Sequence, residues 1–81
     1  MTRIERFRVS TVITTRSLMQ RVLETANFTQ LQADIFVELC KETYNNEGIA
    51  LHLRLDPHRY HAEKKIVIAK VQAALRELGL A

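Results

Sequence analysis

The side chains with chemical potential gather in one stretch, Asp56-Pro57-His58-Arg59-Tyr60-His61, with His52 upstream of it and Cys40 as the only cysteine. Three imidazoles invite a zinc site. Such sites need ligands at set spacings, such as H-E-x-x-H on a helix or paired cysteines. His58 and His61 stand at i, i+3 and no cysteine pair accompanies them, so no metal is expected. The histidines read instead as polar groups that cap or solvate the first turn of a helix. Nucleophilic catalysis needs a thiol or hydroxyl beside a base. Cys40 could meet His52, His58 or His61, yet it lies on or beside an apolar stripe, where a cysteine is an inert small hydrophobe. Ser10 and Ser17 lack a G-x-S-x-G frame, and no two carboxylates pair in an evident cleft. No catalytic, metal-binding or cofactor-binding residue is assigned, and the chain reads as a non-enzyme.

The same stretch has a second reading, as an anion site. A helix N-terminus offers free N–H groups and a partial positive charge. His58, Arg59 and His61 would add to it, with Lys64 and Lys65 one turn on. A phosphate of a nucleotide or nucleic acid fits that chemistry. Asp56 and the lack of a glycine-rich loop oppose it.

The elements that must position these groups follow from periodicity. Phe7, Val9, Thr11 and Ile13 alternate with Arg8, Ser10, Val12 and Thr14, which predicts a strand. A helix running forward from Thr2 competes for the same residues. Ser17 to Ala26 is amphipathic, with Thr15 or Ser17 as its N-cap. From Thr29 to about Tyr44, Leu31, Ile35, Phe36, Leu39 and Cys40 form a helical stripe, and Thr29 with Gln32 matches a capping box. Asn45-Asn46-Glu47-Gly48 is read as its end, with Gly48 or an asparagine left-handed. Ile49, Leu51, Leu53 and Leu55 alternate with Ala50, His52 and Arg54, which predicts a second, half-buried strand. Asp56-Pro57 starts a long helix to Leu78, stopped by Gly79. The expected fold is therefore a single α+β domain over 1–81, ordered β-α-α-β-α.

Size then argues for a partner. A chain of 81 residues with one cysteine can form no internal disulfide, so its small core needs other support. The last helix is apolar around much of its girth: Val67, Ile68, Val71, Leu75 and Leu78 on one face, with Ile66, Ala69 and Ala73 elsewhere. Val67, Ile68, Val71, Leu75 and Leu78, with Leu51 and Leu53, are the expected core and dimer seam. A homodimer that pairs strands into a four-stranded sheet would also cover exposed edges.

Composition sets the class. Hydrophobic residues make up 47% and charged residues 26%, which is globular rather than disordered. No apolar run is long enough for a bilayer, and Met1-Thr2-Arg3-Ile4-Glu5-Arg6 has no apolar segment behind it, so the cytoplasm is the expected location and no membrane is implied. Basic ends flank an acidic middle: five basic and two acidic residues over 1–27, one and four over 28–48, six and three over 49–81.

Two functions are weighed. The first is a regulator or inhibitor that binds another cellular or host protein. Its expected surface is the acidic face of the second helix: Asp34, Glu38 and Glu42, with Phe36 and Val37 nearby. An origin in a phage or mobile element follows by analogy alone. The second is DNA binding. The basic strand followed by two helices, Arg3 to Tyr44, resembles the ribbon-helix-helix repressors, whose paired strands enter the major groove. The resemblance covers about half the chain and places Arg6, Arg8, Ser10 and Arg3 on the groove side. The chain departs from that family in having Asn27-Phe28 where a glycine normally turns the chain, and in its further strand and long third helix.

Overall fold

Both expected strands are helical in the computed structural model, which describes residues 8–80. The element order is α1 (Val9–Val12), α2 (Arg16–Thr25), α3 (Gln30–Lys41), α4 (Asn46–His52) and α5 (Pro57–Glu77), with no strand among the described residues. The α+β assignment is thus replaced by an all-helical domain. The strand-paired dimer and the DNA-entering ribbon lose the element on which they rested. Arg3, Arg6 and Phe7 lie outside the described residues.

The first correction concerns α1. A single turn closes with Ile13 N–H donating to Val9 O at 2.8 Å. It buries Val9 and Ile13, which a helix places on one face as surely as a strand does. Thr11, assigned to the same strand face, is exposed instead. The second correction is α4. Asn45 does not end α3; its Oδ1 accepts from Gly48 N at 2.8 Å and so caps the start of α4. Gly48 sits inside that helix, where a Cβ would stand 2.9 Å from Tyr44 Cβ. Helical spacing then turns Ile49, Ala50 and Leu53 inward and throws Leu51 out to 79% exposure.

Helix ends explain why the strand reading was attractive. Arg54 is left-handed (φ 57°), with Leu55 N–H donating to Ala50 O at 2.8 Å and Arg54 N–H to Leu51 O at 3.1 Å. Gly79 (φ 74°) ends α5 with the same pair of bonds, from Leu80 to Leu75 O and from Gly79 to Arg76 O. Both are Schellman ends, and glycine is the residue that normally announces one. Arg54 carries no such signal. Asn27 (φ 55°) and Glu42 (φ 54°) turn the chain after α2 and α3 in the same left-handed region.

The remaining helices begin where the capping residues indicate. Thr15 Oγ1 accepts from Leu18 N at 3.1 Å. Thr29 and Gln32 form a complete capping box. Asp56 accepts from His58 N and Arg59 N ahead of Pro57. The hydrophobic core lies between α5 and the other helices: α5 packs on α2, α3 and α4, while α1 lies on α3. Phe36, Tyr60, Val67 and Val71 are at its centre. One polar network crosses it. Buried Gln32 accepts from Lys70 Nζ at 2.7 Å and from Thr29 N, and its Nε2 donates to Glu63 Oε2 at 3.1 Å. Lys70 also donates to Asn27 O at 2.9 Å, tying the α2–α3 turn to α5.

Candidate functional site

Two clefts flank the start of α4. The first, of about 410 Å³, is polar, and Arg8, Ser10, Glu42, Tyr44, Asn46 and Lys64 line it. The second, of about 430 Å³, is mainly apolar, formed by Ala50, Leu51, Leu55, Pro57, Tyr60 and His61. Volumes of this size fall within the range of ordinary ligand sites. Asn46 lines both. Its Oδ1 accepts from Tyr60 Oη at 2.8 Å and from Lys64 Nζ at 3.0 Å. Asn46 is the first residue after the Asn45 cap, and these two bonds tie that first turn to the neighbouring α5.

The electrostatics differ between the two. In the polar cleft, Ser10 Oγ donates to Glu42 Oε1 at 2.6 Å, a short charge-assisted bond that joins α1 to the end of α3. Burial lowers the Lys64 ammonium below its ordinary pKa, because desolvation disfavours its charged form. In the apolar cleft the Tyr60 ring is buried, and its phenol is pushed up to about 12 by the same desolvation. His61 meets the edge of that ring, with centroids 5.5 Å apart.

The residues expected to bind a partner fall apart in space. Phe36 is fully buried and Glu38 is buried, 3.9 Å from His52 Nε2. Asp34 and Val37 are half-buried, and Asp34 accepts from Gln30 at 3.0 Å. Glu42 alone is exposed, and it belongs to the polar cleft. The expected anion contacts divide likewise. His58, Arg59, His61 and Lys65 are exposed on α5, but the first two amides of its N-terminus are already taken by Asp56, at 3.0 and 3.4 Å. Arg8 and Lys64 line the polar cleft instead, and Arg6 lies outside the described residues. Of the expected core and seam residues, Val67, Ile68, Val71 and Leu75 are buried within the chain, Leu53 and Leu78 are half-buried, and Leu51 is exposed.

The three imidazoles do not converge. His52 stacks on Tyr44 at 4.9 Å, His58 is exposed, and His61 faces Tyr60. Among the described residues no three His, Cys, Asp or Glu side chains group as metal ligands. Burial pushes the Cys40 thiol up to about 12, so it is held in its un-nucleophilic protonated form. No helix among the described residues is long and apolar enough to cross a membrane.

The sequence reading missed Asn46, Tyr44 and the Ser10–Glu42 bond. A signal for the first was present, since asparagine is a favoured N-cap residue and Asn45 is followed by the acidic Glu47 where a first turn would be. Comparison with known families, curated proteins and solved structures finds no match for this chain.

Proposed function

We propose that the protein is a non-enzymatic regulator that acts by binding another protein, and that α4 with the start of α5 is the docking surface. The observation that carries this reading is Leu51, a leucine 79% exposed on the lip of the apolar cleft. Single exposed leucines are ordinary, whereas one beside a cleft floored by Ala50, Leu55 and the buried Tyr60 ring provides both a knob and a hole. Clusters of this kind, with an aromatic group at the centre, supply most of the energy of protein interfaces. The partner that fits presents an apolar side chain to this cleft. The expected surface accordingly moves from the acidic face of α3, which the core consumes at Phe36 and Glu38, to α4.

The test is affinity capture from the native cell with the wild-type chain and with Leu51→Asp. The variant is expected to melt like the wild type, because so exposed a site loses little on substitution. A stoichiometric protein held by the wild type and lost by Leu51→Asp supports the reading. Equal recovery by both overturns it. A wild-type dimer that Leu51→Asp converts to monomers would make the occupant a second copy instead of a different protein. Binding to random duplex DNA at low salt that weakens steeply with added salt would favour a nucleic-acid partner over a protein.

A further inference from the structure

We infer that the polar cleft is a pocket for a carboxylate, that of an acidic side chain on the docked partner, with Lys64 as its anchor. The inference rests on the docking reading, since Asn46 forms a wall of both clefts and a segment lying on α4 would reach each of them.

Three observations lead to a carboxylate. Lys64 carries three N–H donors and finds one acceptor among the described residues, Asn46 Oδ1 at 3.0 Å, which it shares with Tyr60. No carboxylate oxygen lies within ion-pair distance of it among the described residues. Burial already disfavours its charge, and a partly desolvated cation with no counter-ion among the described residues is relieved by an incoming anion. The charge balance of the cleft fixes the type of anion. Among the described residues of its wall, Arg8 and Lys64 stand against Glu42, one of whose oxygens is occupied by Ser10, an excess of one positive charge. A monoanionic carboxylate matches that excess, whereas a dianionic phosphate would exceed it. Val9, Leu39, Ile49 and Ile68 beside the Tyr44 ring give part of the wall an apolar lining suited to the methylene stem of a glutamate.

The experiment is a titration of the full chain followed by amide and side-chain NMR. The probe is N-acetylglutamic acid α-amide, which presents only a side-chain carboxylate. Its neutral glutamine counterpart, N-acetylleucine with a main-chain carboxylate, and inorganic phosphate are the comparisons. Saturable shifts at Ser10, Glu42, Asn46 and Lys64 are expected with the glutamate probe, at the weak affinity typical of so small a ligand. Binding should raise the titration midpoint of the Lys64 Cε signal. Lys64→Gln should weaken binding at least about tenfold, the loss expected for a charge-assisted hydrogen bond, while Lys65→Gln leaves it unchanged. Lys64→Arg, which keeps the charge, should retain binding and covers the case in which the glutamine variant folds poorly. Equal binding of the glutamine probe, no effect of Lys64→Gln in a folded protein, or tighter binding of phosphate or N-acetylleucine would overturn the assignment. If Leu51→Asp abolishes partner capture while Lys64→Gln does not alter it, docking stands and the carboxylate pocket falls; if neither variant alters capture, both fall.

Discussion

Ile49→Ala and Leu51→Ala decide between the helical and extended forms of 49–55. An extended strand would put both residues on the same buried face, and the two truncations would cost alike. In α4, Ile49 is 1% exposed and Leu51 is 79% exposed. Truncating a buried isoleucine removes transfer energy and leaves a cavity, about 2–5 kcal/mol in all. Fully burying a leucine is worth ~1.5–3 kcal/mol, and Leu51 is covered over only about a fifth of its surface, so its truncation should cost roughly 0.3–0.6 kcal/mol. For a domain of this size each kcal/mol shifts Tm by about 4–8 °C. Ile49→Ala should therefore melt at least about 8 °C below the wild type, with Leu51→Ala within about 5 °C of it. Urea unfolding followed by circular dichroism at 222 nm gives the same comparison through the midpoint, with an unchanged slope confirming that both variants unfold from the same state. Equal losses at the two positions would refute the helical register of α4, and with it the exposure of Leu51 on which the docking surface depends.

Three further outcomes follow from the helix ends and the buried groups. Asp56→Ala removes the acceptor for His58 N and Arg59 N and should cost about 1 kcal/mol in urea unfolding. It should also free those amides, so that phosphate perturbs them by NMR in the variant and leaves the wild type unmoved. Arg54→Gly should be neutral or stabilising by up to about 1 kcal/mol, because glycine adopts the left-handed Schellman position without strain, whereas Arg54→Val should destabilise by roughly 1–2 kcal/mol. Equal effects of the two would refute the left-handed turn. Stability should also decline as pH rises above 9. The Cys40 thiol goes from 9.0 to about 12 on folding and the Tyr60 phenol from 10.0 to about 12, so between those values the unfolded chain releases protons that the folded chain keeps, and unfolding gains. Urea midpoints from pH 8 to 11 measure this decline, and a flatter curve for Cys40→Ala would identify the thiol's share.

The helices that were legible in the sequence are those with both a start signal and a long apolar stripe. Thr29 with Gln32, and Asp56 with Pro57, name their own N-termini, and the structure forms the expected bonds at each. The stripes that follow are long enough for a 3.6-residue period to be distinguished from a 2-residue one. Neither condition holds for 7–14 or 49–55. Over so few positions the inward set of a short helix, Ile49, Ala50 and Leu53, overlaps the inward set of a strand at two residues out of three. Leu51 was the residue that broke the tie, and an exposed leucine cannot be told from a buried one by type alone. The local grammar was misleading too. Among the described residues the left-handed positions are Asn27, Glu42, Arg54 and Gly79, so a reading that looks for glycine at helix ends finds one of the four and takes Gly48 for another.

The same substitution of signals hid the site. Asn45-Asn46 shortly before Gly48 resembles the end of α3, and on that reading both asparagines belong to a turn with nothing to contact. Once Asn45 caps α4, Asn46 is locked onto the first turn, and Tyr60 and Lys64, four residues apart on α5, both reach its single Oδ1. Lys64 is thereby withdrawn from the basic surface of α5 to which its neighbours His61 and Lys65 belong, and becomes a half-buried cation aimed across the α4–α5 junction. Charge counting along the chain treats Lys64 and Lys65 as equivalent; burial and one hydrogen bond separate them. That separation gives Lys64→Gln and Lys65→Gln opposite expected outcomes, and it is a distinction that no pattern of residue types could have drawn.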